Sequence, residues 1–276
     1  MKLLLAGAGG QLGRALGVTL RGHDVVALGH SDLDITDLSA VRDALAACKP
    51  SLVINGAAFN DVDGAEADET QAFRVNAAGP ANLAAAAREA DAAILHVSTD
   101  YVFDGAATRP YDEDAPTNPQ SAYGRSKRAG EEAVRAANPR HYVVRTAWLF
   151  HPDGRNFLNT ILAQASRGSV RVVDDQTGSP TFAVHLAEAI GRLVTTDAYG
   201  TYHLAGGGGA TWFELTRTLY RLAGIATPVE PVSTADFPRP APRPRYSVLT
   251  TIREPRVLLP PWQQGVEEFV RQRLAR

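Results

Sequence analysis

The chain has 276 residues, 45% of them hydrophobic and 21% charged, and a formal net charge of −2 at pH 7. This length can bury a substantial core in a globular protein, and the interspersed acids and bases argue against a nucleic-acid or anionic-membrane partner. Cys48 is the only cysteine, which excludes an intrachain disulfide and a cysteine-based metal site and fits a reducing cytoplasm.

The first apolar run predicts a buried strand. Residues 3–6 are all apolar and glycines follow at once, so the run is too short for the apolar region of a signal peptide. No later run approaches the length that crosses a bilayer. We therefore expect a cytoplasmic protein with no membrane partner.

The first half of the chain alternates short apolar runs with helical segments. Strands are predicted at residues 2–6, 24–28, 52–55, 92–97 and 142–146. Helices are predicted at residues 14–20, 38–47, 69–90 and 123–137, and Gly79-Pro80 should kink or restart the third. Strands that are apolar along their whole length are typical of a parallel sheet covered on both faces. Residues 1–150 are therefore predicted to form a doubly wound α/β domain.

The alternation loosens beyond residue 150. Helices are predicted at residues 157–166, 185–194, 211–222 and 262–274, and short strands at 170–173 and 200–204. Thr211 and Glu214 should form a capping box, and the alternating prolines and arginines of residues 238–244 indicate an extended segment. We predict that residues 151–276 form mainly a smaller α/β cap that binds the substrate, with later segments returning to the first domain.

A glycine-rich loop lies between the first strand and the first helix. It contains Gly7, Gly10 and Gly13, with Gln11 and Leu12 before the last glycine. Glycines let the backbone approach a pyrophosphate, and the following helix N-terminus supplies N–H groups and a partial positive charge. The position favours a dinucleotide site, although such a loop can also serve only as a turn.

Cofactor preference depends on the end of the second strand. An acid there usually accepts a hydrogen bond from the ribose 2′-OH of NAD. Gly29, His30 and Ser31 offer no acid, and Arg14 and His30 suit a 2′-phosphate. The sequence therefore favours NADPH, with NADH as the alternative donor.

Two further segments are candidates for cofactor contacts. Residues 34–37 line the adenine side of such a site, or else Thr36 or Asp37 simply caps the next helix. The small residues 55–58 leave room for a cofactor across the strand ends, and close helix packing would explain them equally well.

A hydroxyl cluster and a Tyr–Lys pair indicate the chemistry. The fourth apolar strand runs into Ser98 and Thr99, and Tyr123 stands four residues before Lys127 in a helical segment. That spacing places the phenol and the ammonium on one helix face. A nearby cation lowers the pKa of a tyrosine from ~10, and a strand-end hydroxyl can bind the substrate oxygen. These groups predict a carbonyl reductase site. The structural alternatives are that Tyr123 is a surface tyrosine and that the hydroxyl cluster caps a helix.

Other residues are candidates for substrate binding. Asp100 can bond a sugar hydroxyl, and Trp148 at a strand end can stack on a sugar or base, although a tryptophan is often simply core. Asn156 lies a little further on. Arg243 in the extended segment suits a diphosphate, the alternative being a solvated basic loop. The histidines show no ligand spacing, so no metal is predicted.

These motifs resemble the extended short-chain dehydrogenase/reductases, and among them the dTDP-4-dehydrorhamnose reductase family. The resemblance extends over nearly the whole chain, at residues 10–13, 55–66, 98–103, 123–127, 145–148, 156–157, 175–181, 243–244 and 247–249. It implies a Rossmann domain, a dTDP-sugar substrate and a monomer or homodimer. Gly29 stands where some members carry an acid, which leaves the cofactor preference open.

The resemblance also implies site residues. The family's catalytic triad falls on Thr99, Tyr123 and Lys127. Its cofactor contacts fall on Gly10, Gln11, Leu12, Asp34, Ile35, Ala57, Ala58 and Phe59. The glycine-rich loop adds Gly7 and Gly13, and the Tyr–Lys pair adds Tyr123 and Lys127. The sugar nucleotide would be contacted by Thr99, Asp100 and Trp148.

The expected activity is hydride transfer from NADPH to the C4 keto group of a dTDP-4-keto-6-deoxy-L-sugar. A sister 4-ketoreductase of antibiotic deoxysugar synthesis, for instance of streptose, is the first alternative. A 4,6-dehydratase would need an acid after Thr99-Asp100, where Tyr101 stands. A non-catalytic NADP-binding regulatory subunit would have lost the triad, which is present here.

Overall fold

The computed structural model describes residues 1–274. The strands in this range are β1 (Lys2–Ala6), β2 (Asp24–Leu28), β3 (Leu52–Asn55), β4 (Ala93–Thr99), β5 (His141–Thr146), β6 (Leu149–Phe150), β7 (Val170–Val173), β8 (Thr177–Gly178), β9 (Thr181–Phe182), β10 (Gly200–His203), β11 (Ala210–Thr211) and β12 (Val229–Val232). The α-helices in the same range are α1 (Gln11–Thr19), α2 (Leu38–Cys48), α3 (Val62–Ala67), α4 (Glu69–Phe73), α5 (Gly79–Glu89), α6 (Ala122–Ala137), α7 (Phe157–Leu162), α8 (Ala183–Leu193), α9 (Trp212–Leu222) and α10 (Trp262–Leu274). No helix within these described residues is both long and apolar enough to span a membrane.

The central sheet is parallel and doubly wound, as the sequence predicts. Within the described residues it has six strands in the order β10-β5-β4-β3-β1-β2. The chain passes from β1 to β2 on one side and then crosses back to β3 on the other. Ligands of such sheets bind beyond the carboxyl ends of the strands at this switch point. The site is therefore expected beyond the ends of β1 and β3.

The first strand shows why the sheet is covered on both faces. Leu3, Leu4 and Leu5 are each fully buried, although successive strand residues point to opposite faces. Leu3 and Leu5 pack in the cluster that contains α1 and α8, and Leu4 packs in the cluster that contains α2 and α5. Each buried leucine contributes about 1.5–3 kcal/mol, so both faces of the strand stabilise the fold.

Several predicted boundaries differ from the structure. The helix α1 begins at Gln11, directly after the glycine loop, whereas residue 14 was predicted. The strand β4 continues to Thr99, two residues beyond the prediction. The short helix α3, capped by Asp61, was not predicted. With only six residues, α3 shows too little periodicity to be detected from the sequence.

The long helix predicted at residues 69–90 is divided. Helix α4 is followed by a π-helical turn, Arg74–Ala78, and α5 then begins at Gly79 with Pro80 in its first turn. Proline is tolerated at that position because the first N–H groups of a helix have no intrahelical acceptor. The predicted restart at Gly79-Pro80 is confirmed.

The second half of the chain contributes to two parts of the molecule. Strand β10 pairs with β5 in the main sheet, and α8 packs against α1. The remaining strands form three two-stranded sheets, and α7, α9 and α10 share a separate apolar cluster. The capping box of Thr211 and Glu214 is confirmed, whereas the helix predicted at residues 157–166 ends at Leu162. The division at residue 150 stays a prediction, with residues 183–203 as the proposed returning segment.

Candidate active site

Thr99 is the last residue of β4, at the carboxyl edge of the sheet. It pairs with Thr146 of β5, and the chain then turns into a 3-10 helix, Asp100–Val102. Thr99 Oγ1 accepts a hydrogen bond from Tyr101 N at 3.2 Å and donates one to Asp100 Oδ1 at 3.1 Å. These bonds fix the hydroxyl at the point where the strand ends.

The side chain of Ser98 lies on the opposite face of the sheet from that of Thr99, because neighbouring strand residues point to opposite faces. The buried Ser98 Oγ has no hydrogen-bond partner among the described residues. The Thr99 hydroxyl, in contrast, lies near the phenol of Tyr123 and acts to lower its pKa. Of the two hydroxyls that the sequence offered, Thr99 is therefore the one that meets the tyrosine.

Tyr123 reaches this edge from the first turn of α6. Ser121 caps the helix by accepting a hydrogen bond from Gly124 N at 3.1 Å. A Cβ on Gly124 would lie 2.2 Å from Tyr101 O, so only glycine lets the helix start approach the end of β4 this closely. The rings of Tyr101 and Tyr123 then meet edge to face, with centroids 5.5 Å apart.

The pKa of Tyr123 is raised to about 12, mainly because the phenol is buried. Hydrogen bonding from Thr99 opposes this shift, and the charge of Asp100 adds to it. The direction is opposite to the one expected from Lys127. The phenol of the protein alone therefore stays protonated across the physiological pH range.

Lys127 is almost completely buried one helical turn after Tyr123. Its ammonium donates a hydrogen bond to Val97 O of β4 at 2.6 Å, which directs the charge at the strand backbone. Burial lowers the pKa of Lys127 to about 8, and the Glu131 carboxylate opposes that shift. The lysine thus holds a positive charge beside the end of β4 at neutral pH and loses it as the pH rises through about 8.

The glycine loop has the geometry that a dinucleotide needs. Gly7 has φ of 81°, and a Cβ there would lie 2.5 Å from Ala57 N. A Cβ on Gly13 would lie 2.3 Å from Gly7 O, so α1 can pack on the loop only with glycine at this position. The N-cap residue of α1, Gly10, makes no side-chain hydrogen bond, which leaves the N–H groups of Gln11 and Leu12 without a side-chain cap. An anionic pyrophosphate fits this helix N-terminus.

The loop after β3 is tied to α6 by Asn76, a residue that the sequence did not single out. Its side chain accepts a hydrogen bond from Phe59 N at 2.8 Å and donates to Phe59 O and to Ser126 Oγ, each at 3.0 Å. Asn76 lies in the π-helical turn and is fully buried. It therefore braces the predicted cofactor residues Ala57, Ala58 and Phe59 against α6.

The predicted adenine segment is organised by its own side chains. Asp34 Oδ1 accepts hydrogen bonds from Thr36 N and Thr36 Oγ1, which hold the pKa of Asp34 below its ordinary value. Asp37 caps α2, as the structural alternative predicts. Ile35 is buried, and its Cδ1 would lie 2.5 Å from a Cβ on Gly79. Cofactor contacts by Asp34 and Ile35 stay a prediction.

Asp100 is buried directly beside the hydroxyl of Thr99. Burial raises the pKa of its carboxyl group to about 6, and the hydrogen bond that Oδ1 accepts from Thr99 Oγ1 opposes that shift. The carboxylate is therefore ionised at neutral pH in a place where ionisation is costly. Asp100 Oδ2 has no hydrogen-bond partner among the described residues. A sugar hydroxyl would stabilise this buried charge by donating a hydrogen bond to the carboxylate.

Trp148 is placed by a second tryptophan that the sequence analysis missed. Its backbone has φ of 45°, and its indole stacks on Trp212 with 4° between the ring planes. Trp212 Nε1 donates to Gln176 Oε1 at 3.1 Å. A cleft of about 850 Å³ adjoins this stack and is lined by Tyr101, Phe157, Arg171, Trp212, Arg239 and Arg243. Aromatic and guanidinium groups of this kind suit a nucleotide.

Arg243 occupies the wall between that cleft and a second one of about 790 Å³. Its guanidinium makes two hydrogen bonds with Asp63 of α3, at 2.6 and 2.9 Å. Arg239 approaches the same carboxylate at 3.6 Å. The structure thus places Arg243 at the cleft while its guanidinium already has an acidic partner.

Asn156 lies against the glycine loop. Its side chain caps α7, accepting from Asn159 N at 3.0 Å, and donates to Gln11 Oε1 at 3.1 Å. It is not among the residues that line either cleft. The role predicted for Asn156 in substrate binding stays a prediction, and its observed contacts connect the start of α7 to the start of α1.

Comparisons with known proteins agree with this arrangement. The family profile described as RmlD substrate binding domain matches residues 1–274. A dTDP-4-dehydrorhamnose reductase of Streptomyces griseus is 46% identical over 261 residues, covering 91% of this chain and 86% of the relative. A protein of Streptomyces antibioticus, named as a probable dTDP-4,6-dihydroxy-2-methyloxan-3-one 4-ketoreductase, is 47% identical over 258 residues, covering 90% and 86%. The crystal structure of a dTDP-4-dehydrorhamnose reductase from Bacillus anthracis in complex with NADP is 36% identical, covers 99% of this chain and 100% of that one, and superposes with a TM-score of 0.96.

Proposed function

This chain belongs to the family described as RmlD substrate binding domain, and on that premise we propose that it reduces the C4 keto group of a dTDP-4-keto-6-deoxy-L-sugar. The product would be dTDP-L-rhamnose or a close relative. NADPH is the proposed hydride donor, with NADH as the alternative, and a relative of this chain was solved with NADP. The observation that carries the proposal is the meeting of Thr99, at the end of β4, and Tyr123, in the first turn of α6, at the carboxyl edge of the sheet.

The proton comes from Tyr123 in this proposal. Its phenol is protonated at neutral pH, since burial raises its pKa to about 12. NADPH, when bound, supplies the hydride to the carbonyl carbon. Negative charge then develops on the carbonyl oxygen, and a phenol in hydrogen-bond reach transfers its proton to that oxygen. Thr99 holds the same oxygen through its hydroxyl.

Lys127 is assigned the binding of the cofactor ribose and the stabilisation of the tyrosinate that forms. Its buried ammonium lies one turn from Tyr123, so the positive charge favours the anionic product of proton transfer. The glycine loop supports the same cofactor, because the N-terminus of α1 presents N–H groups to a pyrophosphate. Both roles stay part of the proposal.

The nucleotide half of the substrate is assigned to the cleft of about 850 Å³. Tyr101 lines this cleft and contacts the ring of Tyr123, so the cleft leads to the catalytic group. Arginines 171, 239 and 243 line the same cleft and suit the diphosphate. Remote binding energy from the nucleotide would then orient the sugar at Thr99 and Tyr123.

A sister 4-ketoreductase of antibiotic deoxysugar synthesis is the second candidate. The Streptomyces antibioticus relative is as similar to this chain as the Streptomyces griseus reductase, at 47% and 46% identity. Both candidates use the same residues and differ only in the sugar. For either one we propose a cytoplasmic enzyme that acts as a monomer or homodimer.

A substrate panel tests the proposal. The purified protein is incubated with NADPH and each of several dTDP-4-ketosugars, with and without a 3,5-epimerase, and the product configuration is read by NMR. Oxidation of NADPH only with the epimerised sugar supports the rhamnose reaction. Preference for another 4-ketosugar supports the sister reductase. No NADPH consumption with any of these sugars would refute the proposed function.

A further inference from the structure

The chain turns at the carboxyl end of β2, next to the glycine loop. Gly7 N and Ala8 N both donate hydrogen bonds to Leu28 O, at 3.0 and 3.1 Å. Gly29 follows Leu28 directly, at the position from which an acid usually reaches the adenosine ribose. The sequence places no acid there, which led to the expectation that a 2′-phosphate is favoured.

The structure supplies an acid at this place from three residues further along. Asp32 folds back so that its Oδ2 accepts a hydrogen bond from Gly29 N at 2.7 Å, and Asp32 N donates to Gly29 O at 3.1 Å. A Cβ built on Gly29 would lie 3.2 Å from this Oδ2. The carboxylate of Asp32 therefore occupies the space that a side chain at position 29 would enter.

The remaining groups of this loop leave Asp32 as the acid available to a ligand. The carboxylate of Asp34 is engaged by Thr36 N and Thr36 Oγ1, whereas Asp32 is exposed and its Oδ1 is contacted by Ser31 Oγ at the long distance of 3.4 Å. Cations lie in the same region. Arg14 donates its Nε to Gly9 O at 3.0 Å, and the charge of His30 acts on Asp34.

We propose that Asp32 is a specificity-determining residue for the cofactor. Its carboxylate accepts a hydrogen bond from the ribose 2′-OH of NADH and repels the 2′-phosphate of NADPH, while Arg14 and His30 attract that phosphate. Because the repulsion from Asp32 and the attraction from Arg14 and His30 oppose each other, both NADH and NADPH bind. This inference rests on the proposed function, because it concerns the cofactor of the same reaction.

The test compares Asp32→Asn with wild type in equilibrium binding of NADH and NADPH, followed by nicotinamide fluorescence without any sugar. Asparagine can still accept the hydrogen bond from Gly29 N, so the loop is kept while the charge is removed. The ratio of the NADH to the NADPH dissociation constant should rise roughly tenfold, corresponding to ~1.4 kcal/mol. Asp32→Ala, which also loses the acceptor, should weaken NADH binding further.

Asp24→Asn is the matched control, since Asp24 lies at the opposite end of β2 and its carboxylate forms an exposed ion pair with Lys2, at 3.8 Å. It should leave the ratio unchanged. If Asp32→Asn binds both cofactors with the wild-type ratio, Asp32 has no role in specificity and the reductase proposal stands. If the wild type binds neither cofactor, the proposed function and this inference both fail.

Discussion

At the residue scale, two threonines on neighbouring strands have different surroundings. Thr99 and Thr146 are paired across β4 and β5, and both are buried. Thr99 Oγ1 makes hydrogen bonds to Asp100 and Tyr101, whereas Thr146 Oγ1 has no partner within the described residues. The pair therefore offers a substitution and its control within one layer of the sheet.

Replacing Thr99 by valine is expected to lower kcat by roughly 10²-fold, because the substrate oxygen loses a hydroxyl that stabilises its developing charge. Valine keeps the branched shape and the strand. Thr146→Val should keep wild-type kcat and should be as stable as wild type or more so, since it removes a buried unpaired hydroxyl. Steady-state kinetics and thermal unfolding of both variants measure these effects. Equal kcat for Thr99→Val and wild type would exclude a role for this hydroxyl.

The buried carboxylate of Asp100 is expected to lower the free energy of unfolding when it is ionised, which is also the form that accepts a hydrogen bond from the sugar in the proposed complex. Its pKa is raised from 3.8 to about 6, so the folded protein binds the proton more tightly than the unfolded chain. Stability from this group is present below about pH 4 and is lost as the pH rises to about 6. Asp100→Asn should therefore raise the free energy of unfolding at pH 7 by roughly 1–3 kcal/mol and leave it unchanged near pH 4.

Urea unfolding of Asp100→Asn and wild type at the two pH values measures this difference. The variant should also show a lower kcat/KM, because the amide replaces an ionised acceptor for the sugar. A gain in stability of the same size at pH 4 would show that the burial of charge is not its cause.

At the element scale, the segment of residues 237–245 forms a wall between the two clefts. Its residues Pro242 and Arg243 line both clefts, and Arg243 is bound to Asp63 of α3. Helix α3 follows the loop that contains Ala57 and Phe59. One ion pair therefore connects the proposed cofactor side of the molecule with the proposed substrate side.

Substituting Asp63 by asparagine is expected to raise KM for the dTDP-sugar about tenfold with little change in kcat. The reason is that Arg243 loses the partner that fixes it at the cleft, while Thr99 and Tyr123 are untouched. Asp114→Asn is the control, since it removes a comparable ion pair with Arg253, at 2.7 Å, that lines neither cleft. Unchanged KM in Asp63→Asn, or a fall in kcat alone, would contradict this role for the ion pair.

Elements of strong periodicity could be predicted from the sequence, and irregular ones could not. The apolar runs of β1 and β3 are confirmed with their predicted boundaries. Helix α3 and the π-helical turn at Asn76 were not predicted, because their geometry depends on Asp61, Asp68 and on contacts with α6. The position of Asp32 also escaped prediction, since a side chain that folds back three residues leaves no periodic signal.

At the scale of the whole molecule, the site collects residues from distant parts of the chain. The Gln11 side chain contacts Asn156, Asp63 contacts Arg243, and Trp148 contacts Trp212. The family resemblance could name several of these residues. The sequence could not identify their partners, because contacts between residues that far apart follow from the packing of the second half of the chain on the main sheet. The expected lowering of the pKa of Tyr123 was wrong for the same reason, since burial of the phenol raises this pKa to about 12.

The most direct test of the proposed proton transfer compares Tyr123→Phe with wild type. NADPH oxidation is measured with epimerase-generated dTDP-4-keto-6-deoxy-L-sugar, and NADPH affinity is measured separately. Tyr199→Phe is the control, since Tyr199 precedes β10 at the far end of the sheet and its hydroxyl donates a hydrogen bond to Asp197 Oδ1. Tyr123→Phe should lower kcat by roughly 10²- to 10⁴-fold and should weaken NADPH binding far less, while Tyr199→Phe keeps the wild-type rate. A Tyr123→Phe enzyme that oxidises NADPH at the wild-type rate would contradict the role of Tyr123 as the proton donor.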